Sequence, residues 1–329
     1  MMEYKGVMVF AEQEAGEMHP ISFELLGKGR EIADKLGVDL SCILLGHQIA
    51  DEAMELIYYG ANNVFLYEHP SLKNFDPVCY RQNIVNLVQE EHPEILLVGA
   101  THLGRSLAPR IAIALDTGLT ADCVDLMVDE DGSLIQVRPV FMGKILAYLK
   151  TKTRPQVATI RPKAMKKRDR DVTRKGRVVK KGVQVASDSK VTTLGKQKAE
   201  GASISDAEVV VSCGRGLKSP DDFPIIEELA NVLGGAIGVS RPLVEEGWKG
   251  KEHQVGFSGY IVKPKLYIAC GISGAPQHLA GMKSSDIIVA INTDPSAAIF
   301  KVADYGVVGD LYTTLPKLVE EIKKMKEEK

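Results

Sequence analysis

The sequence is poor in cysteine, in net charge and in long apolar runs, and each shortage removes a class of protein. Five cysteines, Cys42, Cys79, Cys123, Cys213 and Cys270, are scattered over 329 residues without a CxxC pair. That pattern argues against a disulfide framework, a zinc site or an iron–sulfur cluster held by this chain. Cys42 and Cys270 lie in apolar runs and read as core thiols. No apolar stretch approaches the ~18 residues of a membrane span, and the opening Met1-Met2-Glu3-Tyr4-Lys5 has no signal-peptide core. A cytoplasmic chain without membrane insertion is expected. Lys and Arg number 41 against 43 Asp and Glu, a formal net charge of -2. Nothing therefore draws the whole chain toward nucleic acid or an acidic membrane surface. Metal-ligand spacing and a Ser–His–Asp order are also missing, which leaves metal-bound and triad hydrolysis without residues to carry them.

The pattern that is present is alternation. The length exceeds one ordinary hydrophobic core, so two domains are expected. Residues 6–10, 39–46, 63–67 and 94–99 read as strands, separated by helix-like stretches at 21–36, 49–59 and 78–91. Such βαβ alternation implies a parallel sheet covered by helices. Runs at 119–128, 134–140 and 145–149 follow without long helices, as added edge strands or a β extension. Between residues 161 and 181 eleven Lys and Arg face two acids, Asp169 and Asp171. No aromatics interleave there, which favours a solvated linker or edge strand over a docking patch or nucleic-acid arm. The expected division is an N-terminal α/β domain at 1–190, a polar linker at 191–205, and a doubly wound parallel-sheet domain at 206–329.

In the second domain, strands at 207–213, 236–240, 265–270, 286–292 and 305–309 each end in glycine or a polar residue. In open parallel sheets ligands sit beyond the carboxyl ends of the strands, where these residues fall. Gly214-Arg215-Gly216-Leu217-Lys218-Ser219 follows the first strand; alone, it is a weak phosphate-loop signal or a tight turn. Ser240-Arg241-Pro242 and Asn292-Thr293-Asp294-Pro295 end two others. The most informative stretch runs from Gly271-Ile272-Ser273-Gly274-Ala275-Pro276 into Gln277-His278. It reads as a glycine turn opening a helix whose first turn carries a histidine, and free N–H groups there favour negative charge. These strand ends together describe one extended polar ligand.

Taken in order, Val210-Val211-Ser212, Gly214-Arg215-Gly216, Gly238-Val239-Ser240-Arg241, Gln254-Val255-Gly256, the segment 271–282, Ile291-Asn292 and Ala303-Asp304-Tyr305-Gly306 resemble the alpha subunit of the electron-transfer flavoproteins. The first half is similar to that family's N-terminal domain through Gly99-Ala100-Thr101, Gly104-Arg105 and the segment 154–162. The resemblance implies FAD held mainly by the second domain and a beta subunit completing a heterodimer. It implies Arg215, Ser240, Ser273 and Gly274 along the pyrophosphate and ribityl path, and Asn292 and Asp310 toward the adenosine end. Arg241 would lie over the isoalloxazine, Ser258 near N5, Gln254 near the ring's polar edge and His278 near the C2 carbonyl, with Gly256, Gly271 and Gln277 completing the cofactor-binding set. Arg241, Ser258 and His278 would tune the flavin, since reduction places negative charge on N1 and the C2 oxygen. Where the family commonly carries Gln-Thr-Gly after Val-Gly, this chain has Phe257-Ser258-Gly259. Ser258 keeps a hydroxyl, while Phe257 replaces an amide with an apolar ring, as an altered flavin environment or as packing.

The same resemblance implies that the first domain is shaped like a nucleotide binder without holding nucleotide, AMP or a second FAD sitting in the beta subunit. His102 and Arg105 are then structural or interfacial. Three functions follow. The first is an electron carrier between a flavin dehydrogenase of the acyl-CoA dehydrogenase type, as in fatty acid beta-oxidation, and an acceptor such as a quinone oxidoreductase. The second is the alpha subunit of a bifurcating complex that couples NADH oxidation to ferredoxin and to quinone or enoyl-CoA reduction. The third is a nucleotide-binding regulatory protein without redox chemistry.

Overall fold

A computed structural model describes residues 4–141, 145–185, 193, 204–205 and 207–327. The chain divides into two compact units, Met1–Lys196 and Gln197–Lys329. The expected linker at 191–205 lies almost wholly outside the described residues.

The first unit runs β1 (Val7–Ala11), the short pair β2 (Gln13–Glu14) and β3 (Glu17–Met18), α1 (Pro20–Leu36), β4 (Leu40–Gly46), α2 (Glu52–Tyr58), β5 (Asn63–Glu68), α3 (Pro77–Glu91), β6 (Ile95–Gly99) and α4 (His102–Ala114). It continues with β7 (Leu119–Cys123), β8 (Asp125–Val128), β9 (Leu134–Val140), β10 (Ile145–Leu149), β11 (Gln156–Ile160) and β12 (Arg177–Lys180). Seven strands form one parallel sheet in the order β12-β5-β4-β1-β6-β11-β7. Strands β1 and β6 are buried on both faces, which is why they read as unbroken apolar runs. Helices α1 and α2 pack one face of the sheet, and α3 and α4 the other.

Two segments differ from the expected alternation. Residues 100–106 open α4, whose first turn is capped by Thr101 Oγ1 accepting from Gly104 N at 2.9 Å. The run at 119–128 is two strands: β7 edges the parallel sheet, while β8 joins β9 and β10 in a separate antiparallel sheet. Asp122, at φ 63, makes the break, and its carboxylate is held by Arg161 at 2.6 Å and Arg105 at 3.5 Å. The basic run is an edge of this unit, as the edge-strand reading expects. Arg170 pairs with Glu55 and Lys181 with Glu90, each at 2.6 Å, and Arg177–Lys180 is β12, laid parallel on β5.

The second unit runs β13 (Val209–Cys213), α5 (Phe223–Leu233), β14 (Ala236–Val239), α6 (Arg241–Glu245), β15 (Leu266–Cys270), α7 (Pro276–Met282), β16 (Ile287–Asn292), β17 (Tyr305–Val308) and α8 (Leu311–Glu327). Its five strands are all parallel, in the order β14-β13-β15-β16-β17. Helices α5 and α8 cover one face, and α7 with the turn Ala298–Lys301 covers the other. That turn is a single 3-10 stretch. The α/β class is borne out in both units, and the parallel doubly wound sheet in the second. Among the described residues no helix is long and apolar enough to cross a membrane, and no His/Cys/Asp/Glu group could hold a metal ion.

Candidate functional site

The strand order of the second unit reverses between β13 and β15: from β13 the chain crosses outward to β14, then returns past β13 to build the other half. Loops leaving two such strands diverge to opposite faces and leave a crevice at their carboxyl ends. Register makes the crevice wide. Cys213 pairs with both Val239 and Cys270, and Cys270 with Ile291, so β13, β14 and β15 end flush and β16 runs one residue further. At that next level Gly214, Ser240, Gly271 and Asn292 line one cavity of about 810 Å³, within the ~300–1,000 Å³ of cofactor and small-molecule sites.

Two glycine contacts shape its floor. A Cβ on Gly216 would lie 2.5 Å from Gly271 Cα, and one on Gly271, at φ +60, would lie 2.6 Å from Gly216 Cα. The first loop therefore touches the third, an approach sealed by Gly216 N donating to Gly271 O at 3.0 Å. Gly256, at φ +145, turns the 254–260 segment against α7, where Phe257 N donates to Gln277 O at 2.8 Å.

The polar side chains fall into free and engaged groups. Arg215 and Lys218 line the cavity and, among the described residues, form no ion pair with a carboxylate. Lys218 Nζ rests 4.9 Å from the centre of the Tyr312 ring. Arg241 Nε donates to Glu245 Oε1 at 2.7 Å, but the two side chains are 64% and 58% exposed. An ion pair so open to water is worth at most about 1 kcal/mol, so an anionic ligand can claim Arg241 cheaply. Ser240 precedes α6 without capping it, which leaves its hydroxyl to the cavity. Gln254 Nε2 donates to Ser258 Oγ at 2.9 Å. Asn292 ties two loops, Nδ2 donating to Ile272 O at 2.9 Å and Oδ1 accepting from Asp294 N at 3.0 Å. Asp310 Oδ1 accepts from Tyr312 N at 2.9 Å at the start of α8.

His278 is buried in the wall. Its Nε2 lies 2.9 Å from the Tyr267 hydroxyl, and its Nδ1 is closed from solvent with no hydrogen bond formed. Burial pushes its pKa down to about 4, so the imidazole is neutral at neutral pH. Twelve of the thirteen residues expected from the sequence line the cavity: Arg215, Ser240, Arg241, Gln254, Gly256, Ser258, Gly271, Ser273, Gln277, His278, Asn292 and Asp310. Gly274 does not line it; at φ +86 its hydrogens face the backbone of Ile299, where a Cβ would meet the amide nitrogen at 2.3 Å. Glu245 lines the cavity without having been named, and Lys218, Thr293 and Asp294 line it from strand-end segments read as facing a polar ligand but given no role of their own. Phe257 is 64% exposed on the cavity wall, so its ring is not core packing.

Residues 7–186 match the electron transfer flavoprotein domain, and residues 203–283 the electron transfer flavoprotein FAD-binding domain. The electron transfer flavoprotein subunit alpha of Thermoanaerobacterium thermosaccharolyticum is 48% identical, the match covering 99% of this chain and 100% of the relative. The chain belongs to the electron transfer flavoprotein alpha-subunit family. A protein FixB of Clostridium saccharobutylicum is 45% identical, with 98% of each chain covered. The lactate dehydrogenase (NAD(+),ferredoxin) subunit LctC of Acetobacterium woodii is 42% identical over 96% of this chain and 76% of its own. As an alpha subunit of this family the chain binds FAD and has a beta subunit as partner. The cavity fits that cofactor: two cations without carboxylate partners suit a pyrophosphate, and the orphaned Nδ1 of His278 is a polar atom with a place for a partner.

Proposed function

We propose that FAD lies along the carboxyl ends of β13–β16 and that this subunit carries electrons from a flavin dehydrogenase to a second acceptor. The observation that supports this best is the level register of the four strands at their carboxyl ends, within one residue of each other, beside which twelve polar or glycine positions line one cavity. FAD supplies the reversible uptake of electrons; the chain supplies binding, orientation and electrostatics. Arg215 and Lys218 stand where a pyrophosphate would be neutralised. Ser240 and Ser273 serve the ribityl path, and Asn292 and Asp310 the adenosine end. Arg241, released from Glu245, stabilises negative charge on the isoalloxazine, Ser258 and Gln254 hold its polar edge, and His278 offers a dipole toward the C2 carbonyl.

The likeness to LctC, whose name joins NAD(+) and ferredoxin, favours a second reading of the same site: the alpha subunit of a bifurcating assembly that couples NADH oxidation to ferredoxin and, in our reading, to quinone or enoyl-CoA reduction. No observation favours a regulatory protein without redox chemistry. Flavin and nucleotide analysis of the alpha–beta complex separates the first two: one FAD with AMP marks the plain carrier, two FAD the bifurcating form. The placement is tested by Arg215→Ala, which is expected to weaken FAD binding at least tenfold, as for loss of a charge-assisted contact of about 1.5–3 kcal/mol. Unchanged affinity in a fluorescence titration overturns it.

A further inference from the structure

The cavity of the second unit is walled mainly by polar groups, and most of its apolar lining is out of reach. Val255, Ile272, Ile291 and Leu311 line it but are at most 5% exposed. Among the described lining residues Phe257 is the one large apolar side chain that stands open, at 64% exposed. It joins neither apolar cluster of this unit and has no aromatic partner among the described residues. Cofactor pockets ordinarily offer aromatic surface beside a few polar groups, and here that surface is a single ring.

The backbone holds this ring at the wall. Gly256 N donates to Tyr260 O and Gly259 N to Gly256 O, each at 3.0 Å, and Tyr260 N donates to Gln254 O at 2.7 Å. Behind the turn α7 leaves no slack, since a Cβ on Gly281 would lie 2.4 Å from Gly256 N. A bridge between Val239 and Gln254 ties the same turn to the end of β14. A turn fixed on both sides is ordered before any ligand arrives, so little backbone freedom is lost on binding.

An open aromatic ring gains by taking a second planar ring in offset or edge-on contact, beyond the area that contact buries. FAD has one large apolar planar end, the isoalloxazine, and a charged middle. The neighbours of Phe257 suit the first: Ser258 and Gln254 stand in its own turn, and Arg241 opens α6 directly after β14, to which that turn is tied. We infer that Phe257 packs against the isoalloxazine and shields it from water, an inference that rests on the placement of FAD proposed above. Excluding water makes negative charge on the ring costlier. Phe257 therefore opposes Arg241, holding the flavin potential down where the guanidinium raises it.

Three measurements on the alpha–beta complex test this: FAD affinity, quenching of the bound flavin's fluorescence by iodide, and the flavin midpoint potential. Phe257→Ala is expected to weaken FAD binding roughly two- to tenfold, as for loss of one aromatic pair, to open the flavin to iodide and to move the potential in the positive direction. Phe257→Tyr, which keeps the ring, is expected to match the native protein in all three. Unchanged iodide quenching in the alanine variant overturns the inference, as does a tyrosine variant that behaves like alanine. If Phe257→Ala loses the beta subunit on size-exclusion chromatography with the flavin readouts unchanged, the ring is a docking residue and the inference is likewise overturned. Arg215→Ala keeps the two claims apart. If it weakens FAD binding while Phe257→Ala alters none of the three readouts, the placement stands and the ring contact fails. If neither variant changes FAD affinity, the placement itself fails and takes the ring contact with it.

Discussion

Gly216 and His278 show how little side-chain tolerance the cavity has. At Gly216 there is no room for one methyl group: its Cβ would lie 2.5 Å from backbone, and backbone cannot swing aside as a side chain does. Gly216→Ala is expected to separate the first and third loops, costing about 1–3 kcal/mol of stability and most of the FAD affinity. A thermal melt with and without FAD reads both. Gly274→Ala should be as damaging to stability, through Ile299, although that glycine does not line the cavity. His278 adds a pH term. Its folded pKa, about 4, is below the unfolded value of about 6.5. The unfolded chain therefore binds the extra proton between those values, and the stability contributed is present above about pH 6.5 and lost as the pH falls toward 4.

At the scale of elements, the cavity is braced by the meeting of α5 and α8. The turn Pro220–Asp222 that leads into α5 opens with Ser219, whose Oγ accepts from Asp221 N at 3.2 Å while Asp222 Oδ2 accepts from Ser219 N at 3.1 Å. The Tyr312 hydroxyl on α8 donates to the same Asp222 oxygen at 2.5 Å and accepts from Lys218 N at 2.8 Å. One phenol thus fixes the end of the first loop to both helices. Tyr312→Phe leaves the Lys218 N–H to water, at a cost of about 0.5–1.5 kcal/mol, the net worth of an ordinary hydrogen bond. Faster amide exchange at Lys218 and weaker FAD binding are expected. Ser219→Ala should cost about 1 kcal/mol through the lost cap and leave Lys218 exchange nearly unchanged.

For the whole molecule, the two units should answer pH in opposite ways. In the first unit Glu12, at the end of β1, is buried and donates nothing while ionised; it accepts from Thr101 Oγ1 at 2.6 Å. Burial raises its pKa from 4.5 to about 7. Here the folded state holds the proton longer, so stability falls as the pH rises from about 4.5 to about 7. Over the shared interval the second unit gains through His278 what the first loses through Glu12. Unit-resolved hydrogen exchange, corrected for intrinsic rates, should show protection in β1 and β15 moving in opposite directions. Glu12→Gln should flatten the first trend and leave the second. Glu12 also sits at the reversal point of its own sheet, between β1 and β6.

The sequence by itself determined the alternation of elements, the parallel sheet of the first unit, the doubly wound sheet of the second and the run of strand ends that became the cavity. Those signals are local: apolar runs, glycine after a strand, a proline at a helix start. It could not assign Lys218 or Glu245, which are ordinary surface charges until the loops converge. It also could not show that 100–106 is a capped helix, because Thr101 reads alike as loop or cap. Register decided that Cys213, Val239, Cys270 and Ile291 stand level, and no periodicity carries register between strands far apart in the chain. Tertiary structure alone put Tyr267 behind His278, Gly216 against Gly271, and Gly274 away from the cavity. Each of these is a contact between residues distant in sequence, and such contacts exist only once the sheet has closed.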